Sequence, residues 1–195
     1  LSLKFNIFKF KIKIDNLTRY FHFYHKKIIM AANTECIILA DAFESTRSLT
    51  KGFLSRIQES LINDSIEING AVLNSPYWIT AHLAWAEGFL LLTALGSDFD
   101  KYKWLDEYGF GSNPAEIKTK PPYFEVKEIM DEIHAEAMKH LKGLNDEFLN
   151  EKNKMGIKFG DKDDNRIVIH HAIRHEPMHM GQLTWFMKSK GIQTV

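Results

Sequence analysis

The segment HEPMH, residues 175–179, places two histidines four positions apart with a glutamate between them. On an α-helix this spacing puts both imidazoles on one face, about one turn apart, where they can bind the same metal ion. The same letters spell HExxH, the signature of a class of zinc proteases. The segment therefore indicates metal chemistry, and the remaining ligands decide whether that chemistry is proteolytic.

The protease interpretation fails on its third ligand. Zinc proteases with this motif take that ligand from further along the chain, and the residues after His179, MGQLTWFMKSKGIQTV, include no Asp, Glu, His or Cys. Pro177 lies between the two histidines, where it removes a helical hydrogen bond. Glu176 is rotated about 100° around the helix from His175, so we predict a surface charge there rather than a catalytic base. A further ligand must come from upstream.

His82 is the candidate for that ligand. It falls between Ile79 and Leu83 on the inward stripe of a predicted helix, where an imidazole without a partner is costly to bury. A lone buried histidine is more often a hydrogen-bonded core residue, and paired histidines also arise by chance in a chain with 9. Together, however, His82, His175 and His179 would supply three nitrogens and leave a fourth position open, as in catalytic zinc sites.

Other polar and aromatic side chains have weaker claims to the site. His171 precedes His179 by eight residues, about 12 Å of helix rise, so we expect it beside the site or in the core. Gln182 follows His179 by about one turn and either hydrogen-bonds near the site or forms a buried contact between helices. His134 and His140 are predicted to be solvated. Three tryptophans at helical spacing either wall a pocket or belong to the core: Trp78, Trp85 and Trp185.

Four predicted helices must position these residues. Apolar residues at 3–4 spacing predict a long first helix and a long third helix. The inward stripe of the first comprises Ile38, Ala42, Leu49, Phe53, Ile57 and Leu61, and that of the third comprises Val126, Met130, Ile133, Ala137, Leu141, Leu144 and Phe148. Ser75 and Pro76 predict the start of the second helix and Gly96 its end. The fourth should begin at the acidic cluster of residues 161–164 and run to Gly191.

These elements predict an all-α fold, a four-helix bundle formed by residues 30–195. No segment reads convincingly as a strand, and no internal repeat indicates a solenoid. Residues 96–121, rich in Gly and Pro, form a long connection between the second and third helices. Connections of this length in a compact domain are often functional.

Composition narrows the class of protein. A chain of 195 residues, 45% hydrophobic and 26% charged, suits one globular domain. The formal net charge of +0 gives no reason to expect nucleic acid as a partner, and the single Cys36 excludes an intramolecular disulfide. No uninterrupted apolar run reaches the roughly 18 residues of a membrane span, so we expect no membrane partner. A reducing, cytoplasmic location is the natural expectation.

Residues 1–29 differ in composition from the rest. Phe, Tyr, Ile, Asn and Lys, which have AT-rich codons, make up 20 of the 29. The segment carries a charge of +6, which leaves −6 for residues 30–195. We interpret it as a non-native or disordered leader, with Met30 as the native start. The alternatives are a targeting segment or a β-strand in KFKIKI, although an apolar core, a cleavage site and a pairing strand are all lacking.

Two segments resemble a known family. NSPYWITAHLAWAEGFLLL and HHAIRHEPMHMGQLTWFMK are similar to the metal-binding helices of the DinB-like superfamily, bundle proteins related to bacillithiol and mycothiol S-transferases. The HxxxHxGQ signature corresponds here to His175, His179, Gly181 and Gln182. The resemblance covers roughly residues 32–191 and implies a divalent metal held by His82, His175 and His179, in a homodimer whose substrate is a small molecule not yet identified. Pro177 is uncommon in this family, and a kink between the ligands is expected.

Two hypotheses follow from these observations. In the first, the protein is a metal-dependent enzyme, a hydrolase or a thiol S-transferase, whose zinc or nickel ion activates water or a low-molecular-weight thiol. In the second, the ion only joins the helices of a non-enzymatic, stress-associated bundle. A cavity beside the open coordination position would favour the enzyme, whereas a site sealed by aromatic side chains, Trp78, Trp85 and Phe186, would favour the second hypothesis.

Overall fold

Four α-helices form a bundle in the residues described by a computed structural model, 34–97 and 99–194. Their bounds are α1 Thr34–Leu54, α2 Pro76–Glu87, α3 Tyr123–Gly143 and α4 Asn165–Ser189. Helices α1 and α2 each pack against both α3 and α4. The predicted all-α bundle is confirmed, and the leader predicted over residues 1–29, with its Met30 start, lies outside the described residues.

The helices that carry the candidate histidines begin where the sequence predicts. At the start of α2 the Ser75 side chain accepts a hydrogen bond from the backbone N–H three residues further on, and Pro76 occupies the first turn. Asp164 caps α4 in the same way. Each cap pairs a backbone N–H that would otherwise have no hydrogen-bond partner within the helix. The caps thus fix the residue at which each helix begins.

Helix α2 is the central element of the core. Of its 12 residues, 11 are buried, so it is enclosed on nearly all sides. It continues as a π turn, Gly88–Leu92, and a 3₁₀ turn, Thr93–Leu95, and ends at Gly96 with φ of 86°. The whole segment, Pro76–Leu95, is long and apolar enough to cross a membrane, yet 78% of its most apolar window is buried inside the protein. That burial is typical of the core helix of a soluble bundle.

The inward stripe predicted for α3 is correct, whereas the first three members predicted for α1 are wrong in phase. Phe53 does pack on the core, and so do Ile57 and Leu61, but these two lie beyond the end of α1. Five members of the α3 stripe are buried, and the last two lie beyond the helix end and are half-buried. On α1, Ile38 is 61% and Leu49 59% exposed, and Ala42 also faces solvent. The buried face instead includes Phe43 and Arg47. Apolarity alone therefore predicts the wrong face of α1, because the buried face includes the charged side chain of Arg47.

A short β-hairpin corrects the prediction that the chain has no strand. Strands β1, Ile66–Ile68, and β2, Ala71–Leu73, pair antiparallel, with Ile68 opposite Ala71. The two-residue turn is Asn69-Gly70, with φ of 50° and 83°. Asn-Gly is the strongest short-range signal for such a turn because both positions require positive φ. The hairpin joins α1 to α2 and leaves the bundle unchanged.

The long connection between α2 and α3 packs against α2. It contains a 3₁₀ segment, Lys103–Tyr108, and the Phe99 ring lies so close to Gly88 that a Cβ there would approach it to 2.7 Å. Glu107 accepts hydrogen bonds from the backbone and side chain of Thr119, which ties the middle of the connection to the part just before α3. Other 3₁₀ turns lie at Glu59–Leu61, Pro114–Glu116 and Asp146–Asn150. The connection therefore presents a fixed backbone to α2.

Candidate metal centre

His82 lies inside the bundle, where the connection before α3 orients its ring. It is 5% exposed, and its Nδ1 lies 2.6 Å from the carbonyl oxygen of Tyr108. A carbonyl only accepts, so Nδ1 must donate the hydrogen. The proton of the neutral ring is thus on Nδ1, which leaves the lone pair on Nε2 free to bind a metal.

The pair on α4 meets His82 through its own Nε2 atoms. His175 Nε2 lies 3.3 Å from His82 Nε2 and 3.2 Å from His179 Nε2. Helix α4 runs unbroken through the exposed Pro177, so the kink expected between the two ligands is not seen as a break in the helix. The i, i+4 spacing therefore does bring both rings to the same point.

The separations between the three rings match the requirements of a metal ion. All three ligand atoms lie within 4.8 Å of one another. Nitrogens about 2.0–2.1 Å from a tetrahedral zinc ion are about 3.3–3.4 Å apart, which is close to the two shorter separations. Three nitrogen atoms facing each other at this distance bring lone pairs together unless a proton or cation lies between them. The donor set therefore fits a divalent ion.

Burial keeps these imidazoles neutral, the state in which histidine binds metal. It lowers the pKa of His82 to about 4, with a smaller contribution from His179. It also lowers the pKa of His175 to about 3, where the neighbouring His179 and His82 add to the effect, and it lowers that of His179. Near neutral pH all three rings are therefore unprotonated and available to a cation.

Tryptophans line the His82 side of the cluster. Trp78 stacks on the His82 ring at 4.6 Å between centroids, and Trp85 lies at 5.8 Å. Gly109 permits this arrangement, because a Cβ there would lie 3.0 Å from the Trp85 indole. Trp185, by contrast, is 62% exposed and belongs neither to the core nor to the wall of this site.

Two further neighbours of the cluster, His171 and Gln182, lie on α4, as predicted. His171 is half-buried, with its ring 3.9 Å from that of Phe159 and 5.4 Å from that of His175. Gln182 places Oε1 3.3 Å from Nδ1 of His179. That contact can hold the His179 ring with Nε2 toward the cluster.

Glu176 is not the surface charge that the sequence predicted. It is 1% exposed and receives two hydrogen bonds of 2.9 Å from the guanidinium of Arg47. The 100° rotation from His175 directs it away from the cluster, as expected, but toward α1 rather than toward solvent. The prediction is wrong because the cationic partner of Glu176, Arg47, lies 129 residues away in sequence and meets it only when the helices pack.

The prediction of solvated histidines on α3 is also wrong. His134 is 9% exposed, and its Nδ1 lies 2.7 Å from Oε1 of the buried Glu87. His140 is half-buried. The missed signal was Glu87 itself: a carboxylate on an otherwise apolar helix must find a cationic or hydrogen-bonding partner inside the protein.

Comparison with known proteins agrees with this fold. A DinB-like protein from Bacillus cereus has a similar crystal structure, with a TM-score of 0.58 and 18% identity over 84% of this chain and 97% of that chain. A conserved protein from Enterococcus faecalis is similar at a TM-score of 0.52 and 13% identity, over 76% of this chain and 92% of that chain. No curated protein matches this chain. The family model of the DinB superfamily matches residues 42–183, which contain all three clustered histidines, and the chain belongs to that superfamily.

Proposed function

We propose that this chain binds one divalent metal ion through His82, His175 and His179 and uses it in catalysis, as a hydrolase or as a thiol S-transferase. One observation carries the proposal: three buried or half-buried imidazoles from two helices converge with Nε2 separations of 3.2 and 3.3 Å. The hydrogen bond from His82 to the Tyr108 carbonyl supports it, because it presets the metal-binding tautomer.

The donor set favours zinc or nickel. Imidazole nitrogen is a ligand of intermediate softness that suits late first-row divalent ions, and three such ligands leave a position open for an exogenous group. When bound, an ion of this kind would lower the pKa of a coordinated water or small thiol and so supply a nucleophile near neutral pH. If the protein is a thiol S-transferase, the coordinated group would be a low-molecular-weight thiol.

Access to the cluster favours an enzyme over a closed structural site. His82 is enclosed by Trp78 and Trp85, but His175 and His179 are only half-buried. Phe186, considered as a possible seal, lies in the core at 1% exposure. A substrate would therefore approach from the α4 side, where His171 and Gln182 flank the ligands.

The alternative function is a non-enzymatic bundle in which the ion only joins helices. The observation that favours it is the origin of the ligands: one lies on α2 and two on α4, so a bound ion would cross-link the central helix to the last one. Both functions require the same ligands, and they differ in whether the open position turns over a substrate.

Metal analysis and activity of matched variants test the proposal. The wild type should hold one zinc or nickel ion per chain, and alanine at any of the three ligands should weaken binding by more than about a hundredfold. His171→Ala is the control and should have a much smaller effect. Stoichiometric metal retained by His82→Ala would contradict the shared site.

Two assays separate the functions. One measures hydrolysis of activated esters, and the other measures transfer of a small thiol, such as a cysteine derivative, to an electrophile. Activity that depends on added metal and disappears in folded His175→Ala supports the enzyme. Tight metal binding without activity in either assay supports the structural alternative.

We also propose that the protein is a cytoplasmic homodimer. The family resemblance supports the dimer, and Cys36, a free and buried thiol, suits a reducing compartment. Sedimentation equilibrium of the purified protein tests whether it is a dimer. A monomeric mass at every protein concentration would contradict the dimer.

A further inference from the structure

A single buried arginine contacts both helices that carry the histidine cluster. Arg47 on α1 is 1% exposed. Its Nη2 lies 2.8 Å from Oε2 of Glu87 on α2, and its Nε and Nη2 each lie 2.9 Å from an oxygen of Glu176 on α4. One guanidinium therefore binds two carboxylates that come from different helices.

Both carboxylates lie close in sequence to the proposed ligands. Glu176 is adjacent to His175 and stands between the two ligands of α4, and Glu87 follows His82 by five residues on α2. Sliding α2 against α4 by one residue would move the ligands by about 1.5 Å, which is most of a coordination distance of about 2.0–2.1 Å. Whatever fixes the register of these two helices thus decides whether three nitrogens can reach one ion.

We propose that Arg47 is a positioning residue for the metal centre: by binding Glu87 and Glu176 together, it holds α2 and α4 in the register at which the three histidines converge before any ion arrives. This inference rests on the proposed function, since it assigns a purpose to the geometry of that site. It also explains the glutamate of HEPMH, which acts through Arg47 and not on a substrate.

The chemistry of the contact suits this role. A guanidinium presents several donors in a rigid plane, so Arg47 can hold Glu176 through two hydrogen bonds while it forms an ion pair with Glu87, which an ammonium group cannot do equally well. His134 completes the cluster by contacting Glu87 from α3, so each of the four helices contributes to it. Glu44 of α1, whose side chain is more than half exposed, lies 3.2 Å from the other ring nitrogen of His134. Opposite charges thus lie beside one another, which offsets the cost of burying them.

A second arginine provides a matched control. Arg166 on α4 binds Glu35 on α1 through two hydrogen bonds of 2.6 and 3.0 Å, in the first turn of α4 and nine residues before His175. This pair also joins α1 to α4, but it is partly exposed. Loss of Arg166 therefore removes an ionic contact between helices without touching the proposed positioning contact.

The experiment compares Arg47→Met with Arg166→Met in zinc affinity, in the cobalt spectrum and in hydrogen exchange of the metal-free protein. Arg47→Met should weaken zinc binding about 10–100-fold, the range found for residues that orient ligands, and should reduce the intensity of tetrahedral cobalt bands. Arg166→Met should change the affinity less than threefold. In metal-free protein, Arg47→Met should speed amide exchange in residues 78–86 and 175–183, whereas Arg166→Met should not.

Two further variants keep the test decisive if Arg47→Met fails to fold. Arg47→Lys and Glu176→Gln keep a polar group in place and should each give an intermediate loss of zinc affinity. Wild-type affinity in the folded Arg47 variants, or an equal loss in Arg166→Met, would overturn the positioning role. If the wild type binds no zinc but the exchange pattern is as expected, the metal proposal fails and the coupling of α2 to α4 stands.

Discussion

At the scale of single residues, backbone contacts decide how His82 is presented. Its tautomer depends on the carbonyl of Tyr108, and the position of that carbonyl depends on the next residue, Gly109, which allows the connection to lie against Trp85. A histidine that the sequence marks as a ligand is thus oriented by a glycine that carries no chemistry of its own.

Gly109→Ala is therefore expected to disturb the site. A Cβ there would lie 3.0 Å from both Trp85 and the carbonyl of Asp106, so the connection must shift, at a cost of about 1–3 kcal/mol in unfolding free energy. Zinc affinity should fall as well, because the Tyr108 carbonyl moves with it. Gly52→Ala on α1, where no atom lies within 4 Å, is the control and should stabilise by about 0.5–1 kcal/mol. Equal stability of the two variants in urea unfolding would contradict this account.

His134 should make the stability of the bundle depend on pH. Burial alone would lower its pKa, but the hydrogen bond and charge of Glu87 outweigh burial and Arg47, and Glu44 adds to the effect, so the pKa is raised. The protonated ring therefore stabilises the fold fully below the unfolded pKa of about 6.5, and this contribution is lost as pH rises through the higher folded pKa.

The comparison that tests this is His134→Gln against the wild type. The difference in unfolding free energy should be largest below about pH 6.5 and should shrink as the pH rises above that value. Denaturant titrations at several pH values measure it. A difference that grows with pH would mean that the ring is buried in its neutral form.

At the scale of elements, α4 carries two ligands and a proline without a break. Pro177 is exposed and lies inside a helix of 25 residues, where proline costs about 3 kcal/mol relative to alanine. The helix tolerates it because packing on both sides, together with the Arg47–Glu176 contact, holds the flanking turns in place.

Pro177→Ala is expected to raise the unfolding free energy by about 1–3 kcal/mol, since it restores a backbone hydrogen bond without removing a buried contact. Zinc affinity should not change, because His175 and His179 already lie on one continuous helix and meet at their Nε2 atoms. Gly181→Ala, with open space around its Cβ, adds helix propensity without a new hydrogen bond and should raise stability by about 1 kcal/mol or less. Thermal unfolding measures both; loss of zinc in Pro177→Ala would show that the proline sets the ligand geometry.

At the scale of the whole molecule, the proposed ion and the Arg47 cluster connect the same two helices by different means. An ion that binds only the folded chain stabilises it by mass action, about 4 kcal/mol when free zinc is a thousandfold above its dissociation constant. We therefore expect a strong chelator to lower the melting temperature of wild-type protein. His175→Ala should melt at the same temperature with and without the chelator, and a chelator effect in that variant would place the ion elsewhere.

Local patterns were enough to predict the helices that carry the three clustered histidines. Three local signals predicted the helices: the hydrophobic spacing, the caps at Ser75 and Asp164, and the helix end at Gly96. Each depends only on residues close together in sequence, so none requires knowledge of the tertiary structure. The convergence of His82 with His175 and His179 was predictable because all three histidines fall on faces of helices that point into the same bundle.

Tertiary structure alone decided where the buried charges lie. Arg47, Glu87, His134 and Glu176 are each separated from their partners by at least 40 residues in sequence, so no local pattern pairs them. The phase of α1 depended on the same contacts: a face chosen by apolarity put Leu49 inside, whereas the ion pairs put Arg47 there. Burying a charge is costly for a residue considered alone and acceptable only beside a specific partner, and that partner is known only when the helices are packed together.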